Sequence, residues 1–160
     1  TNDFGPLISG DQRKRVMKYI KQGLSEGATL VCGGNEVNEK GYFIEPTIFI
    51  DVTGEMSIAK EEIFGPVLCV EKFSNESLEE IAKRANKTTY GLSGSVWTND
   101  ISTGHKMAAL IDSGQVSINC HAAVDSAIPF GGNKQSGWGR EFGEEGLDSY
   151  LKTKATTVMY

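Results

Sequence analysis

The segment from Pro129 to Glu141, PFGGNKQSGWGRE, carries four glycines, a lysine and a serine, the residue types of a loop that binds phosphate. A phosphate-binding loop of the common type reads GxxxxGK[ST] directly after a strand, because its lysine and hydroxyl must lie where the loop becomes a helix. Gly132 and Gly137 have the required separation, but Trp138 and Gly139 follow where the lysine and the hydroxyl residue belong. The spacing therefore argues against a phosphate loop, and composition alone indicates a glycine-rich turn.

The three cysteines, Cys32, Cys69 and Cys120, are the next residues that could do chemistry. Their number is odd and no two form a CxxC pair, so we expect no zinc or other metal site, no disulfide framework, and a reducing, cytoplasmic compartment. His121 follows Cys120, but adjacent residues of an extended chain point to opposite faces, so we expect no thiol–imidazole pair. Cys32 and Cys69 lie in apolar segments and are predicted to be buried, inert thiols.

The amino-acid composition and net charge limit the classes of molecule that this protein could bind. Hydrophobic residues make up 39% and charged residues 23% of the chain, which is typical of a soluble globular protein. The net charge of −5, without a block of like charges, argues against nucleic acid, because a nucleic-acid binder needs a basic patch. No run of eighteen apolar residues occurs, so we expect no membrane span.

The first third of the chain predicts a helix followed by short strands. Ser9 and Gln12 form a capping-box pattern, in which the serine oxygen and the glutamine side chain would satisfy free amides. The apolar residues Val16, Ile20 and Leu24 then recur at helical spacing, and Gly27 suits the left-handed position that ends a helix. Extended segments are predicted over 28–32 and, on either side of Pro46, over 42–52.

A clear alternation follows. Residues 66–73 read as a strand, Ser77 and Glu80 start a helix, 91–98 are a second strand, Asp100 starts a helix to Ser113, and 115–119 are a third strand. This order predicts an α/β fold with parallel strands joined by helical crossovers, a βαβαβ sheet. Residues 120–140 are predicted to be a long loop of the kind that carries function, and 144–151 a short helix. Residues 153–160 alternate like a strand but have no partner in the sequence, which suggests pairing within a larger assembly.

Two long motifs resemble those of the aldehyde dehydrogenase superfamily. PFGGNKQSGWGRE is similar to the family's PFGGxKxSGxGRE, and KEEIFGPV (60–67) is close to its EEIFGPV. Supporting matches follow in the family's order: FGPLIS (4–9), EGATLVCGG (26–34), GYFIEPTIF (41–49), RANKTTYGLSGSVWT (84–98), GQVSINC (114–120) and the closing GLDSYLKTKATTV. The resemblance covers essentially all 160 residues. It implies that 1–151 are the C-terminal portion of the family's catalytic domain and 152–160 its oligomerisation strand.

The resemblance also implies a reaction. In the family, a cysteine thiolate attacks an aldehyde to give a thiohemiacetal, hydride passes to NAD or NADP, and water activated by a glutamate hydrolyses the thioester. The GQxC-type motif of the nucleophile and the ELGGK-like motif of the base, which precede this region in the family, are both absent from these 160 residues. We therefore expect the C-terminal part of a homodimeric or homotetrameric enzyme, inactive by itself. The alternative is a non-catalytic assembly or scaffolding module, and the coding sequence upstream of Thr1 distinguishes the two.

The resemblance assigns roles to five residues. Glu62 matches the glutamate that accepts hydrogen bonds from the nicotinamide ribose hydroxyls, and Phe64 the phenylalanine packed against the same part of the cofactor. Phe130 and Val124 match residues of the substrate pocket, and Glu141 a glutamate that assists the general base through water. Without the motifs, Glu62 would pass as a solvated charge and Phe130 as a residue that anchors its loop. Glu141 has the alternative role of a structural ion pair.

Overall fold

The computed structural model describes residues 4–37, 40–121 and 123–160. The chain divides into two compact units, one up to Asn75 and one from Glu76 onward. The helices and strands of the first unit are α1 (Gly10–Ser25), β1 (Thr29–Cys32), β2 (Glu36–Val37), β3 (Phe43–Ile44), β4 (Thr47–Ile50), α2 (Ser57–Lys60) and β5 (Val67–Cys69).

Helix α1 begins as the sequence predicts but uses its glutamine differently. The Ser9 hydroxyl accepts a hydrogen bond from the backbone N–H of Gln12 at 3.1 Å. The Gln12 side chain does not return to Ser9, so the reciprocal half of the predicted capping box is wrong; it donates instead to the carbonyls of Ile63 and Phe64. In this position the two N–H donors of the Gln12 amide satisfy two carbonyl groups, whereas at the helix cap the side chain would satisfy only one backbone N–H.

The apolar face of α1 builds the core of the first unit. Val16 and Ile20 are buried, whereas Leu24, in the last turn, is 47% exposed. Gly27 follows with φ +97°, the left-handed conformation expected at a helix end. The buried cluster contains Val16, Tyr19, Ile20, Ala28, Ile44, Phe49, Val52, Ile58 and Ile63.

The first unit contains a three-stranded sheet with the strand order β1–β4–β5. Strands β1 and β4 are antiparallel and β4 and β5 are parallel, while β2 and β3 form a separate antiparallel pair. The predicted burial of Cys32 is wrong, since the residue is exposed. It lies at the end of β1, which has only one neighbour among the strands described. Cys69 is half-buried, and the loss of hydration raises the pKa of its thiol, which keeps the thiol neutral.

The second unit contains α3 (Leu78–Ala85), β6 (Ser93–Val96), α4 (Ile101–Leu110) and β7 (Gln115–Ile118), followed by two 3₁₀ helices, Lys134–Ser136 and Glu145–Tyr150. Ser77 and Glu80 form the predicted capping box, and Asp100 accepts from the N–H groups of Ser102 and Thr103. Strands β6 and β7 are parallel and joined through α4, and the α/β class is confirmed. Of the three strands predicted in alternation, the first (β5) pairs with β4, and the other two pair with each other.

Helix α4 ends at Leu110 rather than at the predicted Ser113. The reason is a tertiary contact, because the side chain of Asn86, at the end of α3, reaches the C-terminus of α4. Its amide donates to the Leu110 carbonyl at 2.8 Å, and its oxygen accepts from the Asp112 N–H at 2.8 Å. These bonds replace the next helical turn.

The terminal residues 151–160 are exposed and have no helix or strand. Their backbone groups have no sheet neighbour within the described chain, and a strand needs one. The strand over 153–160 and the division at 151/152 therefore remain predictions. Among the helices described, none combines the length and the apolar character that crossing a bilayer requires.

Candidate functional site

In the first unit, Glu62 and Phe64 line a common cleft of about 470 Å³. The segment that carries them joins α2 to β5 and has no regular secondary structure. Between the two residues, Ile63 points inward and is buried in the core. Glu62 and Phe64, on either side of it, are exposed.

Phe64 is held in an unusual backbone conformation. Its φ is +59°, in the left-handed region that non-glycine residues occupy at a cost of about 1–2 kcal/mol. The residue is 71% exposed, so packing within the described chain offsets little of that cost. Strained residues of this kind cluster at binding and catalytic sites.

The two neighbouring glutamates, Glu61 and Glu62, differ in their surroundings. Glu61 accepts a hydrogen bond of 2.5 Å from the Tyr19 hydroxyl, and this bond, followed by loss of hydration, raises the pKa of Tyr19. Glu62 is exposed, and its carboxylate has no hydrogen-bond or ion-pair partner among the residues that the structure describes. Glu61 is thus held in a contact within the protein, whereas Glu62 carries a carboxylate free to accept from a ligand.

In the second unit, the structure brings Phe130 and Glu141 together. The N–H of each donates to the carbonyl of the other at 2.7 Å, which closes the glycine-rich loop as an antiparallel bridge. Residues opposite each other in such a bridge project to the same side. Both line a cleft of about 390 Å³, together with Leu92, Arg140 and Ser149.

Two basic residues hold the glycine-rich loop in place. The Lys134 ammonium donates to the carbonyl of Asn86 at 3.0 Å and lies 3.3 Å from the Asp112 carboxylate. The Arg140 guanidinium donates to the Gly132 carbonyl at 2.7 Å. Lys134 is therefore occupied by the protein's own acceptors, which agrees with the rejection of a phosphate loop from its spacing.

Close backbone approach explains a glycine next to this loop. A Cβ on Gly114, directly before β7, would lie 1.7 Å from the carbonyl oxygen of Gly131. The Asn133 N–H also donates to the Gly91 carbonyl at 2.8 Å, and the Gly91 N–H donates to the Ser136 hydroxyl at 3.0 Å. The loop is thus fastened to the starts of β6 and β7, which sequence reasoning did not anticipate, because these contacts join residues far apart in the chain.

The other residues considered in the sequence analysis show fewer contacts that bear on function. Val124 is 52% exposed and lies outside the residues that line the Phe130 cleft. The Glu141 side chain is exposed and forms no ion pair among residues 4–37, 40–121 and 123–160. His121 is paired through Nδ1 with the Ser95 hydroxyl at 2.9 Å, not with Cys120.

A metal centre finds no support in these surroundings. Within the described part of the chain, no three His, Cys, Asp or Glu side chains are grouped so that they could share an ion.

Comparison with known proteins adds an independent observation. A family model described as the aldehyde dehydrogenase family matches residues 1–156. Aldehyde dehydrogenase 1A1 of Oryctolagus cuniculus is 48% identical over 154 residues, covering 96% of this chain and 31% of the relative. Cytosolic 10-formyltetrahydrofolate dehydrogenase of Xenopus tropicalis is 46% identical over all of this chain and 18% of the relative.

Solved structures agree. The NAD⁺ complex of an aldehyde dehydrogenase from Bacillus cereus superposes with a TM-score of 0.86 at 50% identity, covering 94% of this chain and 30% of that protein. An indole-3-acetaldehyde dehydrogenase of P. syringae, in complex with NAD⁺ and IAA, superposes with a TM-score of 0.91 at 42% identity, with coverages of 96% and 31%. This chain spans less than a third of the length of each of these relatives.

Proposed function

This chain belongs to the aldehyde dehydrogenase family, and from that premise we propose that it forms part of an NAD- or NADP-dependent enzyme that oxidises an aldehyde to a carboxylic acid. The observation that carries the proposal is the cleft of the first unit, where an unpaired carboxylate and an exposed, strained aromatic ring lie two residues apart. Neither feature serves the packing of the described chain, so both are available to a ligand.

The residues of this cleft fit the ribose end of a nicotinamide dinucleotide. The two oxygens of the Glu62 carboxylate accept from the two hydroxyls of a vicinal diol, a geometry that a single acceptor does not match. The Phe64 ring supplies an apolar surface beside the sugar and excludes water from it. When bound, the cofactor supplies the acceptor for the hydride that leaves the aldehyde carbon.

The second cleft is proposed as a wall of the aldehyde pocket. Phe130 orients an apolar aldehyde and lowers the water content around it, which strengthens electrostatic interactions there. Glu141 projects from the same face of the bridge and carries an unpaired carboxylate, which supports a role in holding a water for the general base. Val124 remains proposed as a more distant part of the same pocket.

The reactive thiol and the general base are proposed to come from polypeptide outside these 160 residues, as the missing motifs suggest. Residues 1–160 alone are then expected to show no turnover. The exposed terminal residues 152–160 support assembly into a homodimer or homotetramer, since their free backbone groups are able to pair with another chain. The three free cysteines support a cytoplasmic location, although similar proteins include a mitochondrial 10-formyltetrahydrofolate dehydrogenase.

The test uses the complete protein that contains this chain. We expect the purified protein to reduce NAD⁺ or NADP⁺ in the presence of an aldehyde, and Glu62→Gln to raise the KM for the cofactor about tenfold, the effect of weakening one or two charged hydrogen bonds. Glu79→Gln, which removes an exposed glutamate from the first turn of α3, is the matched control and should leave the KM unchanged. A protein that reduces neither cofactor with any aldehyde class would contradict the proposal.

A further inference from the structure

The glycine-rich loop contains an asparagine whose side chain does not form the contact that its position favours. Asn133 is the N-cap residue of the 3₁₀ helix Lys134–Ser136, and an asparagine oxygen at such a position commonly accepts from the backbone N–H groups that follow. No such side-chain bond forms here. The backbone of Asn133 is fixed separately, because its N–H donates to the Gly91 carbonyl at 2.8 Å. The amide group is therefore available for contacts across space.

The Asn133 amide lies between two groups of opposite charge. Its nitrogen donates to the carboxylate of Asp112 at 3.1 Å, and its oxygen accepts from Nη2 of Arg140 at 3.0 Å. An amide donates from one atom and accepts at another, so it joins a carboxylate to a guanidinium without a conflict. A carboxylate in its place would repel Asp112, and an ammonium would repel Arg140. Asp112, Asn133 and Arg140 are hereafter called the amide link.

At one end of the amide link, Arg140 holds the two arms of the loop together. Its Nη1 donates to the Gly132 carbonyl at 2.7 Å. Gly132 lies two residues after Phe130, and Arg140 directly precedes Glu141, so this bond joins the arms beside the antiparallel bridge of Phe130 and Glu141. The donors of a guanidinium lie in one fixed plane. The bond from Nη2 to Asn133 therefore sets the plane in which Nη1 reaches the opposite arm.

At the other end of the amide link, Asp112 lies just beyond helix α4. Its backbone N–H donates to the Asn86 side chain at 2.8 Å, so its position is set by the contact between the ends of α3 and α4. Its carboxylate also lies 3.3 Å from the Lys134 ammonium, which balances its charge. The amide link therefore fixes the arms of the glycine-rich loop relative to the end of α4.

We infer that Asn133 is a positioning residue for the aldehyde, acting through Arg140 to keep Phe130 and Glu141 in place in the wall of the second cleft. The inference rests on the proposed function, since it takes this cleft to be part of the aldehyde pocket. Asn133 is not among the described residues that line the cleft. Loss of its amide should therefore alter the aldehyde kinetics without removing a contact between its side chain and the substrate.

The experiment compares Asn133→Asp with Gln135→Glu in the complete protein. Asn133→Asp keeps the size of the side chain but places a carboxylate against Asp112, so the amide link breaks at that end. Gln135→Glu makes the same chemical change in the same loop, at an exposed side chain without a hydrogen-bond or ion-pair partner among the residues that the structure describes. A double variant, Asp112→Asn with Asn133→Asp, exchanges donor and acceptor, so the bond between the two side chains forms again without a change in net charge. Asp112→Asn alone is its reference.

We expect Asn133→Asp to lower kcat/KM for apolar aldehydes, at saturating cofactor, about tenfold, because a hydrogen bond to a charged group is lost. The KM for NAD⁺ or NADP⁺ should stay unchanged, since the cleft assigned to the cofactor is lined by other residues. The double variant should recover to the value of Asp112→Asn, and Gln135→Glu should match the wild type.

An Asn133→Asp protein that melts at a lower temperature yet keeps the wild-type kcat/KM for aldehydes would overturn the inference, because the amide link would then be structural only. A double variant no more active than Asn133→Asp would overturn it as well. If Asn133→Asp does not fold, Asn133→Ala, which removes the amide without adding a charge, decides by the same kinetic criterion.

The same assay separates this inference from the function on which it rests. A wild-type protein that oxidises no aldehyde would remove both. A wild-type protein that is active, with Asn133 variants indistinguishable from Gln135→Glu, would remove only the role of Asn133.

Discussion

A single methyl group at Gly65 tests how tightly the segment between α2 and β5 packs on α1. A Cβ at this position would lie 2.6 Å and 2.8 Å from the two methyl carbons of Val16, and Val16 is fully buried. Both distances are shorter than any normal carbon–carbon contact, and a helical valine has one strongly preferred rotamer, so it cannot turn its methyls away cheaply. Either the segment that carries Gly65 or the helix has to move.

The magnitude follows from two opposing effects. Overpacking a well-packed core costs about 1–3 kcal/mol, while replacing glycine by alanine lowers the entropy of the unfolded chain and returns about 0.4–1 kcal/mol. We therefore expect Gly65→Ala to lose about 1–2 kcal/mol of unfolding free energy. Because the shift displaces the neighbouring Phe64, the KM for the cofactor should rise as well.

Gly54 is the matched control, since a Cβ there meets no atom within 4 Å. Chemical denaturation of the complete protein, at fixed protein concentration because assembly contributes to stability, should give Gly54→Ala a midpoint at or above that of the wild type. Adding Val16→Ala to Gly65→Ala removes both clashing methyls, so the double variant should lose less than the sum of the single losses. Equal midpoints for Gly65→Ala and Gly54→Ala, or strictly additive losses, would refute the packing argument.

Three further outcomes are expected in the complete protein. Phe130→Ala should lower kcat/KM for apolar aldehydes about tenfold, whereas Trp138→Ala, an aromatic of the same loop that is 93% exposed, should not; steady-state kinetics with several aldehydes compares them. Lys134→Met should cost about 1–2 kcal/mol of stability, since its bonds to the ends of α3 and α4 are lost, and denaturation midpoints measure it. Hydrogen bonds from Ser57 hold the pKa of the Glu26 carboxyl below its usual value, so Glu26→Gln should destabilise the protein at neutral pH. The denaturation midpoints of this variant and the wild type should converge as the pH falls through the folded-state pKa of Glu26, because protonation removes the same stabilisation from the wild type.

Local rules explain why much of the fold was predictable. Ser9, Ser77 and Asp100 start their helices where the sequence says, because a cap is a contact between residues two or three apart. Gly27 takes its left-handed conformation for a similarly local reason. Three predictions failed: the contact of the Gln12 side chain with the helix cap, the burial of Cys32 and the end of α4 at Ser113. Each of them depends on what lies across space from the residue.

The same distinction between local and tertiary effects applies to the candidate site. The motifs around Glu62 and Phe130 indicate the family and the residues of interest, since residue type and spacing are properties of the chain itself. They do not indicate that Phe64 is left-handed or that side chains of α1 donate to the carbonyls of residues 62–64. Nor do they indicate that Phe130 and Glu141 pair through their backbones in an antiparallel bridge.

By itself, the amino-acid sequence determined the class of fold, the positions of the helix starts and the membership of the family, because these follow from periodicity, capping chemistry and motif spacing over short stretches. Only the tertiary structure decided which carbonyls Gln12 reaches, where Lys134 is anchored and why Gly65 and Gly114 are glycines. Most of those contacts join residues that lie far apart in the sequence. The contact between Gly114 and Gly131 joins residues that are closer together in the chain. Their geometry exists only once the chain has packed.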